Sequence, residues 1–134
     1  MTPACVLDPS ALLCYLQDER GSERVTEALA EGAAISAINW AEVLSKLSDR
    51  GENPDTVSRR LSEQGLLGKA LAVQPLDETT AREIARLRSV TRAAGLSLAD
   101  RACLALGRQL GLPVLTSDRA WRNFKLGVSV QVVR

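Results

Sequence analysis

Residues 4–12 read Ala4-Cys5-Val6-Leu7-Asp8-Pro9-Ser10-Ala11-Leu12. Ala4–Leu7 is a short apolar run and predicts a strand. Asp8 follows it directly. Pro9 then predicts the first turn of a helix, where its missing N–H would be unpaired anyway. That helix is expected from about Pro9 to Gln17. Short strands alternating with longer helical patterns mark an α/β domain with a mainly parallel sheet.

The same alternation continues along the chain. A helix is expected over Ser22–Ala30, capped by Ser22 and stopped by Gly32. Ala34–Ile38 is a second strand, and Asn39 opens a helix to Gly51. Asn53-Pro54-Asp55 starts another helix, expected to reach Leu67. Ala70–Leu76 is a third apolar run, and Pro75 assigns it to a sheet edge or a strand end. Glu78–Ala94 is the longest helical pattern, with Ala81, Ile84, Ala85 and Leu87 on one face and Arg82, Arg86 and Arg92 on the other. Ser97 opens the next helix, which Gly111 ends. Pro113–Leu115 is a fourth strand, Arg119–Phe124 a short helix, and Val128–Val133 a last strand.

Composition removes several function classes. At 134 residues the chain is expected to form one domain, residues 1–134. It contains no histidine, so no Ser–His or Cys–His pair and no histidine-rich zinc site can form. Aromatic residues make up 3%, scattered as Tyr15, Trp40, Trp121 and Phe124, which predicts no stacking platform for single-stranded bases. Seventeen basic residues against 16 acidic ones give no general basic footprint, though a nucleic-acid enzyme remains compatible with that balance. Cys5, Cys14 and Cys103 form no C-x-x-C and are odd in number. They are expected to be buried reduced thiols of a cytoplasmic protein. The N-terminus lacks the pattern of a secretory signal, and no stretch approaches a membrane span.

Asp8, Glu42, Asp100 and Asp118 carry the functional argument. Each has an ordinary structural explanation. Asp8 and Asp118 suit helix N-caps, and Asn39-x-x-Glu42 and Ser97-x-x-Asp100 match a capping box. Jointly they say more. Asp8 and Asp118 lie at or just past strand ends, and Glu42 and Asp100 are expected in first turns of helices. All four then reach the carboxyl edge of a parallel sheet, where ligand sites form. Converging carboxylates repel one another in a cleft, and a hard divalent cation removes that conflict. Ser10 and Ser117 place hydroxyls beside two of the acids, although serine is also common in turns.

Four blocks give a resemblance. They are Val6-Leu7-Asp8-Pro9-Ser10-Ala11-Leu12, Asn39-Trp40-Ala41-Glu42-Val43, Leu98-Ala99-Asp100, and Val114-Leu115-Thr116-Ser117-Asp118-Arg119-Ala120-Trp121. In this order and across nearly the whole chain, the sequence resembles PIN-domain ribonucleases, in particular the toxins of VapBC-type toxin–antitoxin pairs. Pro9 departs from the small residues common at its position.

The resemblance implies a three-layer α/β/α sandwich with a central mainly parallel sheet. It implies a Mg²⁺- or Mn²⁺-dependent endoribonuclease with Asp8, Glu42, Asp100 and Asp118 as its acidic quartet. Asp8, Asp100 and Asp118 would be metal ligands, and Glu42 would bind metal or position water. Arg101 and Arg119 follow two of the acids as candidates for phosphate binding, with solvated helix arginine as the plain alternative. The resemblance also implies a homodimer and a cognate antitoxin, the latter seated near Ala11–Leu16 and Val43–Leu47.

Two rival readings have distinct signatures. A PIN module that binds RNA or a protein without cutting would carry a degraded quartet, and here all four acids are present. A phosphatase with Asp-x-Asp after its first strand would need a second acid where Ser10 stands. A receiver domain would need an acidic pair and a lysine after a late strand, and Lys125 is not so placed.

Overall fold

The computed structural model describes residues 2–134. Its elements run β1 Cys5–Leu7, α1 Pro9–Leu16, α2 Ser22–Glu31, β2 Ala33–Ser36, α3 Ala37–Asp49, α4 Pro54–Glu63, β3 Leu71–Gln74, α5 Glu78–Thr91, α6 Leu98–Leu110, β4 Val114–Thr116 and β5 Val130–Val132. Single 3-10 turns occupy Arg92–Ala94 and Arg119–Asn123. The strands form one sheet in the order β3-β2-β1-β4-β5, and every neighbouring pair is parallel. The expected mainly parallel sheet is therefore wholly parallel, and β3 with its trailing Pro75 is an edge strand.

The pleat divides the strand residues between two cores, as a period of two requires. Cys5, Leu7, Ala33, Ile35 and Leu115 face a core shared with α1–α4, through Leu12, Val25, Val43 and Val57. Val6, Ala34 and Val114 face the other core, with Ile84 and Leu87 of α5, Leu104 of α6, and Trp121. This makes three layers: α1–α4, the sheet, then α5, α6 and the 119–123 turn. Gly107 sets the fit of α6 on the sheet, because a Cβ there would lie 2.5 Å from Val114 Cγ2.

Several boundaries differ from the sequence reading. α3 begins at Ala37, since the Ser36 hydroxyl accepts the Asn39 N–H at 3.2 Å and caps the helix two residues early. Glu42 consequently lies in the second turn of α3, outside any capping box. Gly21, not Ser22, precedes α2; its φ is +100°, and a Cβ there would lie 2.6 Å from the Val133 carbonyl oxygen. α4 stops at Glu63, because a turn at Gly65 leads into a bridge between Leu67 and Leu71. The buried stripe of α5 is Thr80, Ile84, Leu87 and Thr91, with Ala81 and Ala85 exposed. Buried hydroxyl partners explain that rotation: Thr91 donates to the Leu87 carbonyl at 2.6 Å, and Thr80 to Gln109 at 3.3 Å.

Candidate active site

β1 is flanked by β2 on one side and β4 on the other, so the connections diverge at its carboxyl end. Such a switch point opens a crevice in a parallel sheet. Asp8 stands there, only 5% exposed. Its Oδ1 accepts the Ala11 N–H at 2.8 Å, capping α1, and the Ser10 hydroxyl at 2.7 Å. Its Oδ2 accepts the Thr116 hydroxyl at 2.5 Å. Burial pushes the Asp8 carboxyl above its ordinary value; these hydrogen bonds oppose the rise, and the charge of Asp100 adds to it.

Thr116 is the hub on the β4 side. Its oxygen also accepts the Asp118 N–H at 3.0 Å and lies 3.4 Å from the Ser10 hydroxyl. Ser10 in turn accepts the Ser117 N–H at 2.9 Å. Ser10 thus enters through its hydroxyl and Ser117 through its backbone. Asp118 is exposed and caps the 119–123 turn, accepting the Ala120 N–H at 3.0 Å.

Asn39 is fully buried between α3 and α6. Its Oδ1 accepts the Ser36 hydroxyl at 2.7 Å, and its Nδ2 donates to the Ala99 carbonyl at 3.0 Å. The peptide it grips immediately precedes Asp100. Asp100 and Ser97 form a full capping box at the start of α6, with both bonds at 3.0 Å. Burial and the Asp100 charge raise the Glu42 carboxyl, while Lys46 and the Asn39 side chain lower it.

Three of the acids therefore share one electrostatic neighbourhood. Asp100 acts on both Asp8 and Glu42. The fully buried Cys103 thiol, on the same helix, is raised well above its ordinary value by burial and then by Asp8, Asp100 and Glu42. None of the four acids is in an ion pair among the described residues. Oxygen-only donors of like charge, none of them in an ion pair, fit a hard divalent ion by chemistry. Among the described residues no three His, Cys, Asp or Glu side chains already stand at metal-holding separation. The three aspartates are instead occupied by caps and, at Asp8, by hydroxyls.

A model of the PIN domain matches residues 5–126. The chain belongs to the PIN domain family. PIN domains are in general nucleases. A comparison with curated protein sequences finds no match. Among solved structures, this PIN domain is similar to a toxin–antitoxin complex from Klebsiella pneumoniae (20% identity, TM-score 0.75, 97% of this chain and 98% of that one). It is also similar to FitAcB from Neisseria gonorrhoeae (24%, 0.72, 96% and 97%) and to DNA-bound VapBC from Salmonella typhimurium (17%, 0.72, 99% and 100%). At these identities the likeness establishes the fold.

Two residues of this PIN domain were not singled out by sequence reading. Thr116 had a signal, a β-branched hydroxyl at a strand end two residues before Asp118. Asn39 was read as a cap, and its contact with Ala99 spans 60 residues of chain. Arg101, a candidate for phosphate binding in the sequence, lies inside the fold and not at a solvated helix face. It is 8% exposed, turned toward α5, with Nη1 donating to the Ile84 carbonyl at 3.0 Å and Nε buried without a partner. Arg119 stays at the surface, its Nε 3.3 Å from the Arg134 carbonyl oxygen. The three cysteines are buried and unpaired. No helix among the described residues is long and apolar enough to cross a membrane.

Proposed function

We propose that this PIN domain is a Mg²⁺- or Mn²⁺-dependent endoribonuclease and the toxin of a toxin–antitoxin pair. The observation that carries the reading is Asp8 at the switch point beside β1, tied through Thr116 to Asp118, with the start of α6 before Asp100 tied to α3 by Asn39, and no ion pair to any of the four acids among the described residues. Asp8 and Asp100 would hold the metal, Asp118 would join them from the rim, and Glu42 would hold metal or the attacking water. A bound divalent ion lowers the pKa of water and neutralises charge on phosphate oxygens.

The remaining chemistry belongs to the chain itself. With no histidine present, a carboxylate is the chain's candidate to accept the proton of the attacking water. Glu42 suits that task, since burial and Asp100 both favour its protonated form. Water oxygen bonds to phosphorus, the bond to the ribose leaving oxygen breaks, and that oxygen takes up a proton. Ser10 and Thr116 orient Asp8, and Asn39 fixes the start of α6 against α3.

The similar structure from Klebsiella pneumoniae is a toxin–antitoxin complex, which supports a cognate antitoxin here. The expected seat near Ala11–Leu16 and Val43–Leu47 includes two core residues, Val43 and Leu47. An open cavity of about 240 Å³ lies at the α1 end of that expectation, beside Tyr15, Leu29, Gly65 and Leu66, and is the candidate antitoxin seat. Co-expression with a neighbouring small reading frame should yield a complex, and light scattering of the toxin alone should give the mass of a homodimer.

The deciding experiment is RNA cleavage by purified protein in Mg²⁺ or Mn²⁺, in EDTA, and by Asp8→Asn. Cleavage lost in EDTA and in the variant is the expected result. Cleavage retained by Asp8→Asn would remove Asp8 from the mechanism.

A further inference from the structure

The near-zero net charge conceals two oppositely charged layers. From the cap of α5 onward, residues 77–134 hold ten of the 17 basic residues and five of the 16 acidic ones, whereas residues 1–76 hold seven basic and eleven acidic. The division follows the fold. α1–α4 cover one core, while α5, α6 and the 119–123 turn, anchored by Trp121, cover the other. The sheet separates an acidic layer from a basic one.

The five acids of the basic segment are accounted for. Glu78 is paired with Arg82 and Glu83 with Arg86, Asp77 caps α5 by accepting the Thr80 N–H, and the other two are Asp100 and Asp118. Outside the candidate site, Asp77 is this layer's one acid without an ion pair among the described residues. Arg88, Arg92, Arg108, Arg119, Arg122 and Lys125 are all exposed and in no ion pair among the described residues. Arg92 lies in the turn before Asp100, and Arg119 and Arg122 in the turn after Asp118. The side chain of Arg108 reaches across to the 124–128 loop, its Nε 3.8 Å from where a Cβ on Gly127 would sit.

We propose that the α5–α6 face, with the 119–123 turn, is the track for the RNA backbone, leading phosphates into the acidic cleft. The inference rests on the ribonuclease reading and assigns the surface that serves it. A phosphodiester approaching Asp8, Glu42 and Asp100 meets like charge, and screening confines effective compensation to cations within about 10 Å. Arg92, Arg119 and Arg122 flank the two acids that project from this layer. All four aromatic side chains are buried or half-buried, so binding is by phosphate charge and not by base stacking. The same face could attract an acidic protein; RNA is favoured because these basic residues share their layer with Asp100 and Asp118, two acids of the candidate site.

The test uses Arg88→Gln/Arg92→Gln/Arg122→Gln in an Asp8→Asn background, so that RNA is bound and not cut. A control carries Arg20→Gln, Arg59→Gln and Lys69→Gln from the acidic layer. Affinity for a mixed-sequence single-stranded oligoribonucleotide is measured against salt. The first triple should weaken binding about tenfold or more at low salt and reduce the slope of log K against log salt by about 2. The control should match the parent. Equal affinity and slope in all three would overturn the proposal, as would loss of an acidic protein partner with RNA binding intact. Wild-type cleavage is run in parallel. Track-dependent binding without cleavage would sink the hydrolase reading alone, and cleavage with unaltered binding by the triple would sink the track alone.

Discussion

The Thr116 hydroxyl donates to Asp8 Oδ2 at 2.5 Å, joining the ends of the paired strands β4 and β1. Its oxygen also accepts the Asp118 N–H. One side chain thus ties the most buried acid to the most exposed one. Thr116→Val keeps the shape and leaves a buried carboxylate oxygen and an N–H unpaired, a cost of about 1–3 kcal/mol. Mn²⁺ affinity by calorimetry should fall in Thr116→Val and largely return in Thr116→Ser. Equal affinity in all three would make Thr116 merely structural.

Asp8 serves as both cap and charge, and two substitutions separate these roles. Asn is as good an N-cap as Asp, whereas Ala loses the cap at a cost of about 1 kcal/mol. Asp8→Asn should therefore fold with near-parental stability, Asp8→Ala should be less stable, and neither should cut RNA. If the denaturation midpoints of the two coincide, the bond to the Ala11 N–H contributes little.

The raised carboxyls of Asp8 and Glu42 set the pH response of the metal-free protein. A group whose folded pKa exceeds its unfolded one stabilises fully below the unfolded value and loses that contribution as pH rises through the folded value. Melting in EDTA should show this contribution disappearing as pH rises from about 4 toward neutrality. Asp8→Asn should flatten the trend. On the proposed assignment Mg²⁺ would take the ionised carboxylates, so its stabilising effect should grow over the same range. A Mg²⁺ shift independent of pH would contradict the assignment.

Asn39 holds the starts of α3 and α6 together through Ser36 and Ala99. Asn39→Asp keeps the size and the acceptor but replaces the donor aimed at the Ala99 carbonyl. The loss should cost about 1–3 kcal/mol and let Asp100 drift from Glu42. Mn²⁺ affinity should drop with it, and kcat should fall more than KM rises. A loss of stability with unaltered metal affinity would confine Asn39 to packing.

The layered fold was legible because local signals agreed: Pro9 at a helix start, Gly111 at a helix end, short β-type runs between. Asp8, Asp100 and Asp118 were legible as candidates because each stands next to such a boundary. What escaped depends on distant partners. Asn39 could be read only against Ala99, and Thr116 only against Asp8. Ser36 captured the start of α3, which moved Glu42 into the second turn. Thr80 and Thr91 took the buried stripe of α5 because their hydroxyls find partners there, a circumstance hydropathy does not record.

Arg101 marks the other limit, since a charged residue after Asp100 reads as solvent-facing until α5 packs over it. Its guanidinium has one protein partner, the Ile84 carbonyl, and a buried unpaired Nε. Desolvating a charge without a counter-ion is costly, and an apolar side chain of similar length is often as stable or more so. Arg101→Met should therefore leave stability within about 1 kcal/mol of the parent, or raise it. RNA cleavage should be unchanged, because the side chain points into the α5–α6 core and away from the phosphate path. A tenfold loss of kcat/KM with the stability intact would mean that the guanidinium swings out to meet substrate, and would return Arg101 to the phosphate-binding role that its neighbour Asp100 suggests.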